Sequence, residues 1–271
     1  MEEKVSSSKS VFIFFVATFV FSWLFWLPGL LSSLGLFQIA APNMVWVILG
    51  AHGPLFAALG LTYREDGWAG VKKLLRKGFD LRMKPAWWLL IVMLPFVLAG
   101  LAVGVNVFLS GHQPDKTLLL QPWMILPTFL VMFFVGGSFQ EEFGWRGYAL
   151  PRLLEKWNLA IASLILGTVW GFWHLPLFYI QGASQVFMPF GVFLMLAIAF
   201  SVLFTWFFQR TSGNLFSALL FHTAINTSFS VFPPVELQAN SNQMAFTYLM
   251  IAYGIVALVI LMINRQTWFG R

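Results

Sequence analysis

The chain contains no cysteine, which excludes disulfides, thiolate metal ligands and a cysteine nucleophile. Charge is nearly as scarce. Only 10% of the 271 residues are Asp, Glu, Lys or Arg, against about 25% in an average soluble protein. Hydrophobic residues make up 59% and aromatics 18%, with 31 Phe and 13 Trp. Such a chain cannot cover itself with polar surface in water, so its composition is that of an integral membrane protein. The alternating apolar–polar pattern of barrel strands is absent, which leaves helices. There is no internal repeat of the kind many transporters show and no low-complexity segment. One domain is the economical reading.

What is present is a series of apolar runs near the 20 residues needed to cross a hydrocarbon core. The first, Val11 to about Leu36, is too long for a signal-peptide core of about 7–15 residues and has no clear small-residue cleavage site. It is expected to be a retained span, interrupted near Pro28-Gly29. Further spans are expected at about Asn43–Tyr63, Ala86–Ser110, Trp123 into Glu141-Glu142, Leu159–Ile180, Met188–Gln209, Asn214–Phe232 and Met244–Ile263. The predicted fold class is all-α, a polytopic membrane protein with about eight transmembrane helices. Residues 1–10 and 264–271 form cytoplasmic tails around a transmembrane domain of residues 11–263.

Eight spans put both termini on one side. With the N-terminus inside, fifteen of the sixteen basic residues fall on inner segments, from Lys4 and Lys9 through Arg146 to Arg265 and Arg271, and only Lys116 lies outside. That bias predicts cytoplasmic termini. It also explains the +6 net charge without a nucleic-acid partner. The most basic inner connection, Arg64 to Lys84, carries Trp68, Val71, Leu74, Leu75 and Phe79 at roughly helical spacing, which predicts an amphipathic helix on the membrane surface.

Against this background the stretch Gln140-Glu141-Glu142-Phe143-Gly144-Trp145-Arg146-Gly147 stands apart. Ionisable groups inside a membrane are expensive and point to function. Glu142 and Arg146 are four apart, so on a continuing helix they share a face and pair. Glu141 is rotated about 100° away and stays free. Two later spans add polar groups: His174 within Trp170-Gly171-Phe172-Trp173-His174, then His222 and Asn226, again four apart. His52, between Gly50 and Gly53 on either side, reads as interhelical glue, and His112 and Glu236 fall in outer loops. A carboxylate can act as general base on water. Histidines can assist that water, ligate a metal or donate to an oxyanion, and an Asn carboxamide is a good oxyanion donor. Such a set suits amide hydrolysis without a covalent intermediate.

The order Glu-Glu-x-x-x-Arg, aromatic-x-x-x-His, His-x-x-x-Asn resembles the CAAX protease and bacteriocin-processing (Abi) family of intramembrane proteases, which includes the prenyl-protein endopeptidases of the Rce1 type. The first motif matches at Glu141 to Arg146, and the third at His222 to Asn226. The second is usually Phe-x-x-x-His in the family, and here Trp170 takes the aromatic place before His174. The resemblance covers about residues 120–235, with the core motifs in 140–226. It implies an endopeptidase acting on a membrane-anchored protein or peptide, with Glu141 and His174 activating water and His222 and Asn226 stabilising the oxyanion. It implies that Arg146 holds Glu142. The family has also been described as metalloproteases, which would make Glu141, His174 and His222 zinc ligands, although no His-Glu-x-x-His pair is present. Zinc or no cofactor therefore both stand. A monomer in the lipid bilayer suffices, and a prokaryotic plasma membrane is the expected location.

Rival readings use the same residues. A proton or cation relay would run through Glu141, His174 and His222, and a non-catalytic scaffold or immunity protein would need none of them. A serine protease has Ser184 and Ser212 to offer, neither with a convincing partner, and the spans hold no Asp for an aspartyl site. One distance creates a requirement. His174 lies about fifteen residues into its span, roughly 22 Å deep, whereas Glu141 stands near the end of its own. For the two to meet, the fourth helix must continue past Glu142 and through Arg146.

Overall fold

The apolar runs fold as helices. A computed structural model of the chain describes residues 7–38, 41–237 and 243–270, and every regular element among them is helical. Lys4 and Arg271, both counted for orientation, lie outside the described residues. The first half holds α1 (Ser7–Ser33), α2 (Asn43–Ala51), α3 (Gly53–Lys77), α4 (Pro85–Ser110) and the short α5 (Thr117–Leu120). The second half begins with α6 (Ile125–Phe134), α7 (Ser138–Gly144), a π-helical turn (Trp145–Ala149) and α8 (Leu150–Leu154). It continues through α9 (Leu159–Trp173), α10 (Phe190–Arg210), α11 (Leu215–Val231), α12 (Met244–Ile263) and α13 (Arg265–Phe269).

Six of the described helices are long and apolar enough to cross a membrane, and a seventh span exists if the bent pair Pro122–Phe134 and Ser138–Leu154 crosses as one. The eighth expected span is the shorter apolar helix α11. The bent pair and α11 carry Glu141, Glu142, Arg146, His222 and Asn226, and the segments around these residues, α7 and α11, are largely buried in protein. On α11, from Leu215 to Val231, nearly every side chain is buried. Its neighbours are α4, α6, α7 and α10.

Two local expectations are corrected. First, α1 is continuous through Pro28. Gly29 marks a close approach instead, since a Cβ there would stand 3.3 Å from Ile180 Cγ2 and 3.7 Å from Trp46 Cβ. Second, the second span breaks at His52 and then runs on to Lys77, with Gly67 at φ 60° and ψ −161° as a kink. Residues beyond that kink are helical as expected; Val71 and Leu74 of their apolar face are buried in the protein, while Trp68 and Phe79 are exposed. Leu74 sits on Gly147, where a Cβ would meet its Cδ1 at 2.9 Å. Beyond Asn264 the short helix α13 buries Trp268.

Two polar ties fasten the basic helix end to the rest. Glu65 accepts from the Tyr148 hydroxyl at 2.6 Å and from Arg152 Nη2 at 2.5 Å, joining α3 to α8. Asn214 caps α11 by accepting from Ser217 N at 3.1 Å, and its Nδ2 donates to the Asp80 carbonyl at 2.8 Å. An unpaired helix terminus would leave such groups open. Here one side chain closes both the cap and the turn.

Candidate active site

The site begins with a broken helix. The bent pair turns by 40° between α6 and α7, at Gly136-Gly137. Gly137 has φ 106°, a conformation that side-chain-bearing residues rarely adopt. The new helix starts there, with Gly137 N donating to Gln140 Oε1 at 3.1 Å, one arm of a capping arrangement. From Ser138 the backbone stays helical to Leu154, with the π turn at Trp145–Ala149 taking up one extra residue. The requirement that the helix continue through Arg146 is met.

This also closes the depth mismatch. Glu141 stands thirteen residues before Leu154, roughly 20 Å along a helix, and His174 stands fifteen beyond Leu159, roughly 22 Å. The two strands of this helical hairpin are joined by a short loop, so the residues arrive at similar depth. Small residues let the hairpin sink into the bundle. At Gly144 a Cβ would lie 2.6 Å from the Pro54 carbonyl oxygen, so α7 and α3 pack backbone against backbone.

Glu142 and Arg146 are wholly buried as a pair, with side-chain exposure of 0% for both. Arg146 Nη1 donates to both carboxylate oxygens, at 2.9 and 3.0 Å. The guanidinium carbon lies 3.7 Å from the Phe204 ring centre and 5.0 Å from that of Trp170, favourable placements for a desolvated cation. Arg146 was assigned to an inner segment in the orientation count. In the structure it belongs to the protein interior and drops out of that count. Glu142 has a second partner that spacing alone did not reveal, His222, whose Nδ1 is 2.7 Å from Oε1.

Glu141 faces elsewhere, as helical phase requires. Its Oε2 accepts from the indole Nε1–H of Trp170 at 2.6 Å. Trp170 was recognised in the sequence only as an aromatic one turn before His174. The Nδ1 of His174 lies 2.8 Å from the Trp170 carbonyl. A carbonyl only accepts, so Nδ1 carries the proton and Nε2 is left as an acceptor. Asn226 Nδ2 donates to the Gly136 carbonyl at 2.5 Å, tying α11 to the break.

Glu141, Trp170, His174, His222, Asn226 and Gly136 all line one cavity of about 160 Å³, whose remaining wall is largely aromatic and aliphatic. Glu142 and Arg146 stand behind it. The glycines of the break are site residues that the sequence reading missed, and the Gly-Gly pair in an otherwise apolar run was their signal. A Cβ built on Gly137 would lie 2.6 Å from Glu141 Oε1 and 3.3 Å from His222 Nε2. The space those two atoms share exists because residue 137 has no side chain. Ser184 reaches the cavity wall, but its hydroxyl contacts only Gln185, at 3.4 Å. His52 stays out of the site, with Nδ1 2.8 Å from the Ile48 carbonyl. His112 and Glu236 form a pair at 2.5 Å in the loops.

The residues were tested as a zinc site. Among the described residues no three of His, Asp and Glu stand together closely enough to hold a metal ion. The protein bonds of both histidines are made through Nδ1, and one oxygen of Glu141 is held by Trp170, so Nε2 of each histidine is the atom that could ligate. The route derived below uses these residues without a metal.

Residues 122–228 match the family model described as Type II CAAX prenyl endopeptidase Rce1-like, an interval that contains all three motifs. The chain is also 24% identical over 227 residues to the CAAX prenyl protease 2 of Methanococcus maripaludis, an alignment covering 79% of this chain and 82% of that one.

Proposed function

We propose that this chain is an intramembrane endopeptidase of the Rce1 type of CAAX protease, which its residues 122–228 match, and from that premise infer how it hydrolyses a peptide bond and on what. The substrate is a lipid-anchored protein whose C-terminus carries the cleavable tripeptide of a CAAX sequence, since the similar archaeal protein is named for that substrate. The observation that carries the reading is the meeting of Glu141, His174, His222 and Asn226 on one buried cavity, from three stretches of chain.

Water sits against Glu141 Oε1, in the space beside Gly137, with His174 on the wall of the same cavity. As its oxygen bonds to the scissile carbonyl carbon, its proton passes to Glu141. Negative charge then develops on the carbonyl oxygen. His222, held through Nδ1 by Glu142, presents Nε2 to it as donor, and the second N–H of Asn226 does the same while the first stays on Gly136. When the C–N bond breaks, Glu141 returns its proton to the leaving nitrogen. No covalent intermediate forms. Arg146 holds Glu142 in place, so that His222 remains oriented.

The test uses purified protein in detergent and a quenched fluorescent peptide ending in a farnesylated Cys-Val-Ile-Met sequence. Wild-type cleavage that falls by about 1,000-fold or more in Glu141→Ala, and persists in EDTA, is the expected result, on the scale of losing a principal catalytic group. A fully active Glu141→Ala enzyme would overturn the assignment of the base. Loss in EDTA restored by added zinc would overturn the metal-independent route.

A further inference from the structure

Trp170 is neighbour to four of the charged or titratable groups at the site, Glu141, His174, His222 and Arg146. Its Nε1–H donates to Glu141 Oε2 at 2.6 Å, and its carbonyl receives His174 Nδ1 at 2.8 Å. Its ring meets those of His174 and His222 edge-on, with centroids 5.5 and 5.9 Å away. The Arg146 guanidinium carbon lies 5.0 Å from the ring centre. The side chain is 5% exposed, so water does not compete for the indole hydrogen bond.

Resting on the catalytic reading above, we propose that Trp170 is a positioning residue that anchors Oε2 of Glu141 and leaves Oε1 as the proton-accepting atom, facing the space beside Gly137. A free carboxylate can rotate and offer either oxygen. One short charge-assisted bond removes that freedom, and only Oε1 remains pointed at the gap shared with His222 Nε2. Because the His174 contact runs through the backbone carbonyl, replacing the side chain at 170 leaves it in place. A phenylalanine keeps an aromatic ring but loses the N–H together with part of the buried indole, so a second arm reads the hydrogen bond apart from the packing.

The experiment has two arms. In the first, Trp170→Phe is assayed with the farnesylated peptide. We expect kcat to fall about 10- to 100-fold, the range for one hydrogen bond to a charged group, with KM within about twofold of wild type. In the second, the protein is labelled with [15N]tryptophan and its indole resonances are recorded. The resonance that vanishes in Trp170→Phe should lie at low field in the wild type and move upfield in Glu141→Gln, which replaces the charged acceptor. A raised KM with unchanged kcat, or a Trp170 indole signal indifferent to Glu141→Gln, overturns the proposal. If Trp170→Phe fails to fold or the peptide is not cut, the indole spectra decide alone: a low-field indole resonance that moves upfield in Glu141→Gln supports the proposal, and the absence of any such resonance overturns it. Failure of the underlying reading looks different. Glu141→Ala would then cleave normally, whatever Trp170 does.

Discussion

The adjacent glutamates show how one residue of helical phase divides two identical side chains between two tasks. Glu142 is sealed behind the cavity with Arg146 and His222, while Glu141 reaches the cavity. Burying a charge without a partner is severe, and removing one member of such a pair typically costs about 3–5 kcal/mol. Glu142→Gln should therefore lower stability by about that amount, read as thermal unfolding in detergent. The same change combined with Arg146→Met should be less destabilising than Glu142→Gln alone, because no orphaned cation remains. A double variant as unstable as the sum of the two singles would show that the pair does not couple. The division was readable in the sequence, since an i, i+4 pair follows from spacing. The His222 contact was not. It joins residues 80 apart, and no local pattern specifies which of two neighbouring carboxylates a distant imidazole meets.

At the scale of elements, the break at Gly136-Gly137 decides what the cavity can hold. Gly137→Ala should reduce kcat/KM by about 100-fold, the scale of misplacing reacting groups by about 1 Å, because its methyl would occupy the gap beside Glu141 Oε1. The strain of a side chain at φ 106° adds about 1–3 kcal/mol of lost stability. Activity equal to wild type in a stably folded Gly137→Ala protein would show that the gap is not where water reacts. Element positions were largely legible. The run expected over Met244–Ile263 and the helix α12 coincide, and α4, α10 and α11 fall within a residue or two of the reading. What hid the break was continuity of hydrophobicity: from Trp123 to Val135 only Thr128 interrupts the run, and apolar composition reports lipid compatibility without reporting direction. The basic helix beyond Gly67 shows the same limit. Its sequence pattern does not distinguish the apolar residues that meet protein, such as Leu74 on the glycine of the π turn, from those left exposed, such as Trp68.

For the whole molecule, the fold is an all-helical bundle in which α11 lies inside and the other long helices expose apolar faces such as Phe12, Leu89, Phe108 and Met262. The orientation predicted from basic residues is open to direct measurement, and the absence of cysteine makes the chain its own blank. Lys73→Cys should react with an impermeant maleimide only from the cytoplasmic side, and Lys116→Cys only from the opposite side. Labelling of both from one side would refute the arrangement. Both lysines are exposed, so access to the thiol is set by the membrane and not by the fold.

The 80-residue separation between Glu142 and His222 also has a consequence in time. A ribosome adding about 5–20 residues per second needs roughly 4–16 s to go from one to the other. Through that interval the carboxylate has been made and its imidazole has not. Two things are already in hand: Arg146, four residues later, and α3, synthesised earlier, whose Pro54 receives Gly144. An arginine on the next turn and a waiting docking surface are what shelter the nascent charge from lipid until α11 emerges.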